Sequence, residues 1–383
     1  MAFPHNDQYW VNTAEFVQKH IKNEDRILAP ADFRQEFPIV YPYSSISPND
    51  SHDFHWVLIH KGMIGELDHN FLKSITKKLN PVFANEVFVA FSSHELPALE
   101  ANDVHLKALG EQVKSLVSAA NIQANARSNC QVTYIGNGTL LCRVLGKYVF
   151  YADADDIGIT PHLCLDGYWE SWVTVAMIRV LQRGWHCVDI GANHGYYSII
   201  MADAVGSSGR VLAVEPNPML VRLLDRTVQV NGFDRHLTVS QKAIFDVENK
   251  IVKLVIPPGQ GRNASVCMDA TAADNVVEVE TVTLDTLTSG WPCVDLIKVD
   301  AEGAEEAIWR GMRTTVRKNQ DITIIMEFNA GRYPDPKAFL QDIQTEGFLL
   351  RHIDFDTEIK DLTVEQCLTE RPNEDWMLFL QRS

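Results

Sequence analysis

The sequence predicts an α/β protein. A mostly parallel, doubly wound sheet with one antiparallel strand is expected to follow a small N-terminal α/β module and a β-meander. Three observations carry this. Short apolar runs alternate with helical patterns from about residue 185 onward, the signature of a parallel sheet with right-handed crossovers. Cys187 to Tyr197 reads as a buried strand, a glycine-bracketed turn and a helix start. Gly136-Asn-Gly138 and Gly146 punctuate three short strands upstream, as hairpin turns do.

Taken in order, Tyr9–Ile21 reads as a helix and Arg26–Pro30 as a short strand. Residues 31–53, broken by Pro38, Pro42 and Pro48, read as a long irregular stretch. His55–His60 and Glu86–Ser92 are expected strands, with a helix at Leu67–Leu79 between them. Val104–Ala120 is a further helix, with Leu106, Leu109, Val113, Leu116 and Val117 on one face. Asn121–Asn129 is polar and reads as a linker, so residues 1–126 are taken as an accessory module and 127–383 as the main domain. The meander covers Gln131–Ile135, Leu140–Leu145 and Lys147–Tyr151. Gly167 to about Arg183 is a helix closed by Gly184.

The core then alternates. Expected strands are Arg210–Val214, Leu237–Ile244, Val294–Val299, Ile322–Phe328 and Phe348–Ile353. Expected helices are Met219–Val230, Ala304–Val316 and Pro336–Glu346. Ile251–Ile256 and Val276–Val282 read as an inserted strand pair around a glycine-rich loop, Pro257–Ser265. Trp376–Gln381 follows no helix of consequence and is expected to insert as an antiparallel hairpin partner.

The turn after the first core strand carries the chemistry. Asp189 precedes Gly191-x-x-x-Gly195, and Tyr196 opens the helix, whose free N–H groups and positive end face the turn. A dinucleotide fingerprint would read G-x-G-x-x-G, and its third glycine is missing here. An ammonium- and sulfonium-bearing cofactor, S-adenosylmethionine, favours nearby carboxylates instead. Glu215, at the end of the next strand before Pro216-Asn217-Pro218, is placed to accept hydrogen bonds from ribose hydroxyls. Asp300, at the tip of Leu296–Val299, and Glu302, Glu327 and His194 are candidate bases for deprotonating an acceptor hydroxyl. Asn329 adds a neutral oxygen. The carboxylates could instead hold a magnesium ion, which suits hard oxygen ligands, although this is the less favoured reading. Lys298 either pairs with an acid or snorkels from its strand. Glu305 and Glu306 read as a solvated helix start.

Asp-Ile-Gly-Ala-Asn-His-Gly-Tyr-Tyr (189–197), Val-Glu-Pro-Asn-Pro (214–218), Val-Asn-Gly (230–232) and Ile-Lys-Val-Asp-Ala-Glu-Gly-Ala-Glu (297–305) together resemble the FkbM family of S-adenosylmethionine-dependent methyltransferases. The resemblance spans roughly 160–383. It implies a class I, Rossmann-like methyltransferase fold. It also implies O-methylation of a small hydroxylated molecule, such as a sugar or a polyketide- or peptide-derived metabolite of natural product biosynthesis. By the same resemblance, Trp169-Glu170 covers the methionine end of the cofactor. The cofactor set expected is Glu170, Asp189, Gly191, Asn193, Gly195, Tyr196, Glu215, Asn217 and Ala243. An NAD-dependent oxidoreductase and a non-catalytic binding module are the alternatives.

Composition bounds the rest. The 383 residues suffice for two ordinary cores, and 46% are hydrophobic and 22% charged. A net charge of −16 disfavours nucleic-acid substrates. No apolar run is long enough to span a bilayer, and the first residues lack a signal-peptide pattern. Seven irregularly spaced cysteines suggest reduced thiols and a cytoplasmic setting. Cys187 and Cys293 are each expected to open a strand as packing residues. A homo-oligomer is compatible with these features, and no metal site is assigned. His52, His55, His60 and His69 read as solvated or capping, and Asp153, Asp155 and Asp156 as an acidic turn.

Overall fold

The chain's architecture comes from a computed structural model that describes residues 3–45, 54–67, 69–255, 265–267, 276–371 and 374–382. It divides into two compact units, Met1–Ser118 and Ala119–Ser383. Among the described residues, no helix is long and apolar enough to cross a membrane.

The first unit is a five-stranded sheet. Its order is Val40–Tyr41, Ile27–Leu28, Trp56–His60, Phe88–Ser92, Asn80–Ala84, with the last two strands antiparallel. Helices Gln8–Gln18, His69–Lys78 and Val104–Leu116 belong to the same unit. Asn80–Ala84 was not expected. It contains Pro81, which tolerates only an edge position, and its register shifts between Pro81 and Phe83. The stretch from 31 is less irregular than expected. Ala31–Gln35 and Tyr43–Ser45 are 3-10 turns flanking the strand Val40–Tyr41. The polar run 47–53, including His52, lies outside the described residues. Buried Asp25 organises this end of the unit by accepting from the Trp56 indole at 3.0 Å and meeting His94 at 2.6 Å. The His55 Nδ1 accepts the Arg26 N–H. The His69 side chain lies outside the described set.

The second unit opens with a correction. Ala119–Asn129 is a helix, not a linker. Gln123 donates to the Ser171 hydroxyl at 2.6 Å, Arg127 pairs with Asp166, and Ala126 is fully buried. A polar sequence can be helical when its few small residues pack and its polar groups find partners. The meander forms as read: Val132–Gly136, Thr139–Val144 and Tyr148–Asp153 in consecutive antiparallel pairs.

The main sheet contains β1 (His186–Ile190), β2 (Arg210–Val214), β3 (Leu237–Ser240), β4 (Leu296–Val299), β5 (Thr323–Phe328), β6 (Arg351–Ile353) and β7 (Trp376–Arg382). Their spatial order is β3-β2-β1-β4-β5-β7-β6. β1 to β5 are mutually parallel, and β7 runs antiparallel between β5 and β6. This is a doubly wound, mostly parallel sheet with one antiparallel strand. The order reverses between β1 and β4, which opens a crevice at their carboxyl ends.

Helices α1 (Ser171–Val180), α2 (Tyr196–Val205), α3 (Pro218–Val230), α4 (Glu305–Gly311), α5 (Arg313–Lys318) and α6 (Pro336–Thr345) cover the faces. Alternate residues of β1 feed two separate cores. Cys187 packs with Met177, Ile199 and Phe150 on one side, whereas Val188 and Ile190 pack with Trp309 and Phe339 on the other.

Several expected boundaries move for identifiable reasons. α1 starts at Ser171 because Glu170 takes a left-handed conformation, φ +35°. The run 237–244 is not one strand. It breaks after Ser240, and Ala243–Ile244 joins a side sheet with Val276–Val282, Ile251–Val255 and Ser265–Cys267. The loop 257–264 within that sheet lies outside the described residues. A short helix, Val364–Thr369, opened by a Thr363/Gln366 capping box, does precede β7, and Ile359–Asp361 extends the edge beside β6. Cys293 lies in the loop before β4, half-buried, rather than opening that strand.

The helix Ala119–Asn129 yields a test of the unit boundary. A chain beginning at Ala119 should be more stable than one beginning at Ser128 by about 1–3 kcal/mol, from the lost side-chain bonds and the exposed apolar contact. Thermal or urea melts of the two compare them directly.

Candidate functional site

The turn after β1 is shaped by a close approach of two backbones. Gly191 has φ +74°, and a Cβ there would lie 1.8 Å from the Asp300 carbonyl oxygen. Glycine is therefore required where the β1 and β4 loops meet. Gly195, φ +86°, would drive a Cβ to within 2.1 Å of the Leu224 side chain, so it sets how closely α2 approaches α3. Its role is packing; it does not line the cavity.

That cavity, about 440 Å³, opens at the carboxyl ends of β1, β2 and β4. One end is bounded by Gly191, Asn193, Glu215 and Ala243, and Tyr196 and Glu170 also line the cavity. The other is bounded by Asp300, Glu302, Glu327, Arg332 and Asp375, with Lys298 and Tyr197 between. Its size is in the range of small-molecule sites. Six of the nine expected cofactor residues and three of the four expected bases line it.

Glu215 is 5% exposed and holds the turn from the β2 side. Its Oε2 accepts the Asn193 N–H at 2.8 Å and its Oε1 the Asn217 N–H at 2.9 Å. Each oxygen keeps a lone pair for the cavity. Burial pushes its carboxyl up to about 7, against those two N–H bonds, with Asp189 and Asp300 adding to the rise. Asn193 reaches this geometry through φ +54°. Asn217 lies outside the cavity lining and caps α3 by accepting the Met219 N–H.

Asp189 also stands behind the cavity wall rather than in it. It is fully buried, and its Oδ2 accepts the Ser198 hydroxyl at 2.5 Å. Its Oδ1 has no hydrogen-bond partner among the described residues. Lys298 answers this charge. Its ammonium is 2% exposed, donates to Asp300 Oδ2 at 2.9 Å and sits 4.7 Å from the centre of the Tyr197 ring. Burial works against its proton, but Asp300 and Asp189 outweigh that and raise it above its ordinary range. Of the two sequence readings of Lys298, pairing is the one realised. Tyr197 passes the network on by donating to Glu170 Oε2 at 2.7 Å, while the Tyr196 hydroxyl lies 3.0 Å from Thr174 Oγ1.

At the far end, Asp300, Glu302 and Glu327 bring oxygens within 4.8 Å of one another. Arg332 meets Glu302 at 3.1 Å and Asp375 at 3.2 Å, and also pairs with Glu327. Burial and the nearby Asp300 push the Glu327 carboxyl up even so, because one guanidinium serves three acids. A magnesium ion here would have to displace that guanidinium, so none is given a role. Glu302 and Gly303 have φ +50° and +100°, consecutive left-handed residues that throw the loop outward. Glu305 fixes this loop and is not solvated. It is fully buried, accepts the N–H groups of Ala301 and Gly303, and takes the Tyr333 hydroxyl at 2.6 Å.

Two expected site groups face elsewhere. His194 is 1% exposed and outside the cavity lining. Its Nε2 accepts the Asp153 N–H at 3.2 Å and its Nδ1 lies 2.6 Å from Asn193 Oδ1. Burial pushes it down to about 4, so it is a neutral ring joining the turn to the meander and not a base. Asn329 spends its oxygen on the Gly331 N–H and its amide on Asp375. The acidic turn is also more structural than expected: Asp156 is buried and accepts from Gly158 and Thr160. Sequence reasoning missed Arg332 and Asp375. Both lie in connections at the carboxyl edge of the sheet, which was the available signal.

Residues 189–352 match the family model described as the methyltransferase FkbM domain. Among solved structures, the chain resembles methyltransferase FkbM from Methylobacillus flagellatus KT at 16% identity and TM-score 0.32, covering 57% of this chain and 51% of that one. It resembles the O-methyltransferase from Bacillus cereus in complex with SAH at 13% identity and TM-score 0.33, covering 55% and 80%. Precorrin-6y C5,15-methyltransferase from Geobacter metallireducens GS-15 matches at 13% identity and TM-score 0.31, covering 55% and 86%. No curated protein matches. The fold rests on this chain's own sheet order.

The buried ammonium gives a stability test. Lys298→Met leaves the Asp189 carboxylate without its counter-charge and should cost about 3–5 kcal/mol near neutral pH. Burial already raises the Asp189 carboxyl, and losing Lys298 raises it further. The variant's deficit should therefore shrink as pH falls and Asp189 takes up a proton. Urea melts at two pH values read this directly.

Proposed function

We propose, from the match of residues 189–352 to the methyltransferase FkbM domain model, that the protein transfers a methyl group from S-adenosylmethionine to a hydroxyl of a small molecule. The observation that carries this reading is the charge arrangement along the cavity. Carboxylates occur along its length, Glu215 on the β2 side, Glu170 beside Tyr197, and Asp300 with Glu327 beyond. Such a lining suits a cofactor with sulfonium and ammonium groups and repels a pyrophosphate. Bound S-adenosylmethionine would supply an already activated methyl group, leaving the protein to position the acceptor.

In this reading Glu215 accepts from the ribose hydroxyls, since each of its oxygens already holds one backbone N–H and retains a lone pair. Gly191 and Asn193 keep the turn close to the cofactor, Ala243 bounds the adenine end, and Glu170, held by Tyr197, faces the methionine end. Tyr196 packs behind it. Asp189 and Asn217 act from behind the wall, one through Lys298 and the other through α3. Asp300 and Glu327 are the groups assigned to take the acceptor's proton, with Glu302 and Arg332 shaping that end.

The acceptor is proposed to be small, hydroxylated and uncharged or cationic. An anionic one would meet the carboxylates of Asp300, Glu302, Glu327 and Asp375. Residues 1–118 are proposed as an accessory unit.

Calorimetric titration with S-adenosylhomocysteine, S-adenosylmethionine and NADH tests the cofactor. Binding of the first two and not the third is expected; NADH binding alone would overturn the reading. Glu215→Ala should weaken S-adenosylhomocysteine by about 1.5–3 kcal/mol.

The pH dependence has a definite sign. Ribose hydroxyls donate to the ionised carboxylate, and the free protein holds Glu215 at about 7. Affinity for S-adenosylhomocysteine should therefore rise by up to about tenfold from pH 6 to pH 8. In Glu215→Gln the profile should be flat. An affinity that falls over that interval in the wild type would remove Glu215 from the ribose contact.

A further inference from the structure

At the opposite end of β1 from the cavity, three potential metal ligands converge. His186 opens β1, and Cys293 and Asp295 lie in the loop that leads into β4. Their ligand atoms form a nearly equilateral triangle. Cys293 Sγ is 3.5 Å from His186 Nδ1 and 3.6 Å from Asp295 Oδ2, and His186 Nδ1 is 3.7 Å from the same Asp295 oxygen. Zinc bonds of about 2.3 Å to sulfur and about 2.0–2.2 Å to nitrogen and oxygen, set at tetrahedral angles, put such atoms about 3.3–3.6 Å apart. The triangle thus has nearly the edge length of one face of a zinc tetrahedron. We infer that His186, Cys293 and Asp295 form a zinc site, with water as the fourth ligand.

The scaffold around the triangle is rigid before any metal arrives. The His186 N–H donates to Asp295 Oδ2 at 2.7 Å, and the Asp295 N–H returns to the His186 carbonyl at 2.8 Å. The Thr323 N–H of β5 donates to the Asp295 carbonyl, and Asn319 accepts the Val294 N–H. These bonds hold the carboxylate and the ring without using the imidazole nitrogen or the thiol. Trp291 sits against the His186 ring, 5.8 Å between centres. The His186 and Asp295 side chains are 21% and 27% exposed, which leaves an open side for water.

The donor chemistry selects the metal. One thiolate, one imidazole and one carboxylate oxygen are the ligand types zinc combines, and magnesium and calcium would not take the sulfur. An ordinary cysteine thiol keeps its proton at neutral pH. On binding, Zn²⁺ replaces that proton: the S–H bond breaks, a Zn–S bond forms, and one proton leaves to buffer. The site would tie the start of β1 to the start of β4, the two strands between which the sheet reverses order.

The experiment is a Zn²⁺ titration of the full chain in competition with a chromophoric chelator, followed by Co²⁺ substitution. One equivalent should bind, with release of one proton and, for cobalt, a thiolate-to-metal charge-transfer band. Cys293→Ala and His186→Ala should each weaken binding by at least about 100-fold and abolish the cobalt band, while Cys130→Ser should leave both unchanged. Binding that persists in Cys293→Ala, or no stoichiometric binding in the wild type, overturns the site. Should a variant fail to fold, alkylation of Cys293 in the wild type, mapped by mass spectrometry, decides. Zn²⁺ must slow it and a chelator must restore it; an unchanged rate rejects the proposal.

Discussion

A single buried ammonium group sets the terms for the centre of this fold. Lys298 is on β4, Asp189 on the neighbouring β1, and their Cα positions are direct partners across the sheet. Burying either charge alone would be prohibitive, and the pair is tolerable only with further polar partners in place. Those partners are Asp300, Ser198 and the face of Tyr197, which draws in Glu170. The network therefore links β1, β4, α2 and the residue before α1. Every wall of the cavity's middle section is attached to this one charge. The contact of Gly191 with the Asp300 carbonyl lies one step further out, where the same two strands end.

The far end of the cavity is balanced differently. Arg332 stands among Glu302, Glu327 and Asp375 with one positive charge, and Glu305 anchors the intervening loop through backbone N–H groups. An excess of carboxylates around one guanidinium keeps this end responsive to charge, whereas the Lys298 end is satisfied by its own neighbours.

Which parts of this were legible in the sequence follows the range of the interactions. The strand-turn-helix at 187–197, the Glu215 strand end and the order of core elements are local, and local pattern is enough to find them. Glu305 looked like an exposed first-turn acid because nothing near it in sequence reveals Tyr333, 28 residues on, or the fold-back of the Ala301 N–H. His194 sits inside the glycine turn and reads as a base until Asp153 of the meander occupies its Nε2. Helix 119–129 lacks an apolar stripe, and what holds it is Asp166 and Ser171, some 40 residues away. Strand 237–244 reads as continuous because its residue types do not change. Its second half leaves for the side sheet because Val276–Val282 is there to pair with it.

The position of β7 bears on how the chain reaches this structure. β6 precedes β7 in sequence but lies beyond it in the sheet, so β6 can pair only with Ile359–Asp361, and not with the rest of the sheet, until residues 376–382 have been made. A ribosome must therefore release the β5 edge uncovered, with Ile324, Ile325 and Met326 seeking a partner that emerges some 50 residues later. Such delayed, long-range pairing slows folding and prolongs the exposure of an unpaired strand edge. During synthesis, that edge is where this molecule is open to pairing with the wrong strand.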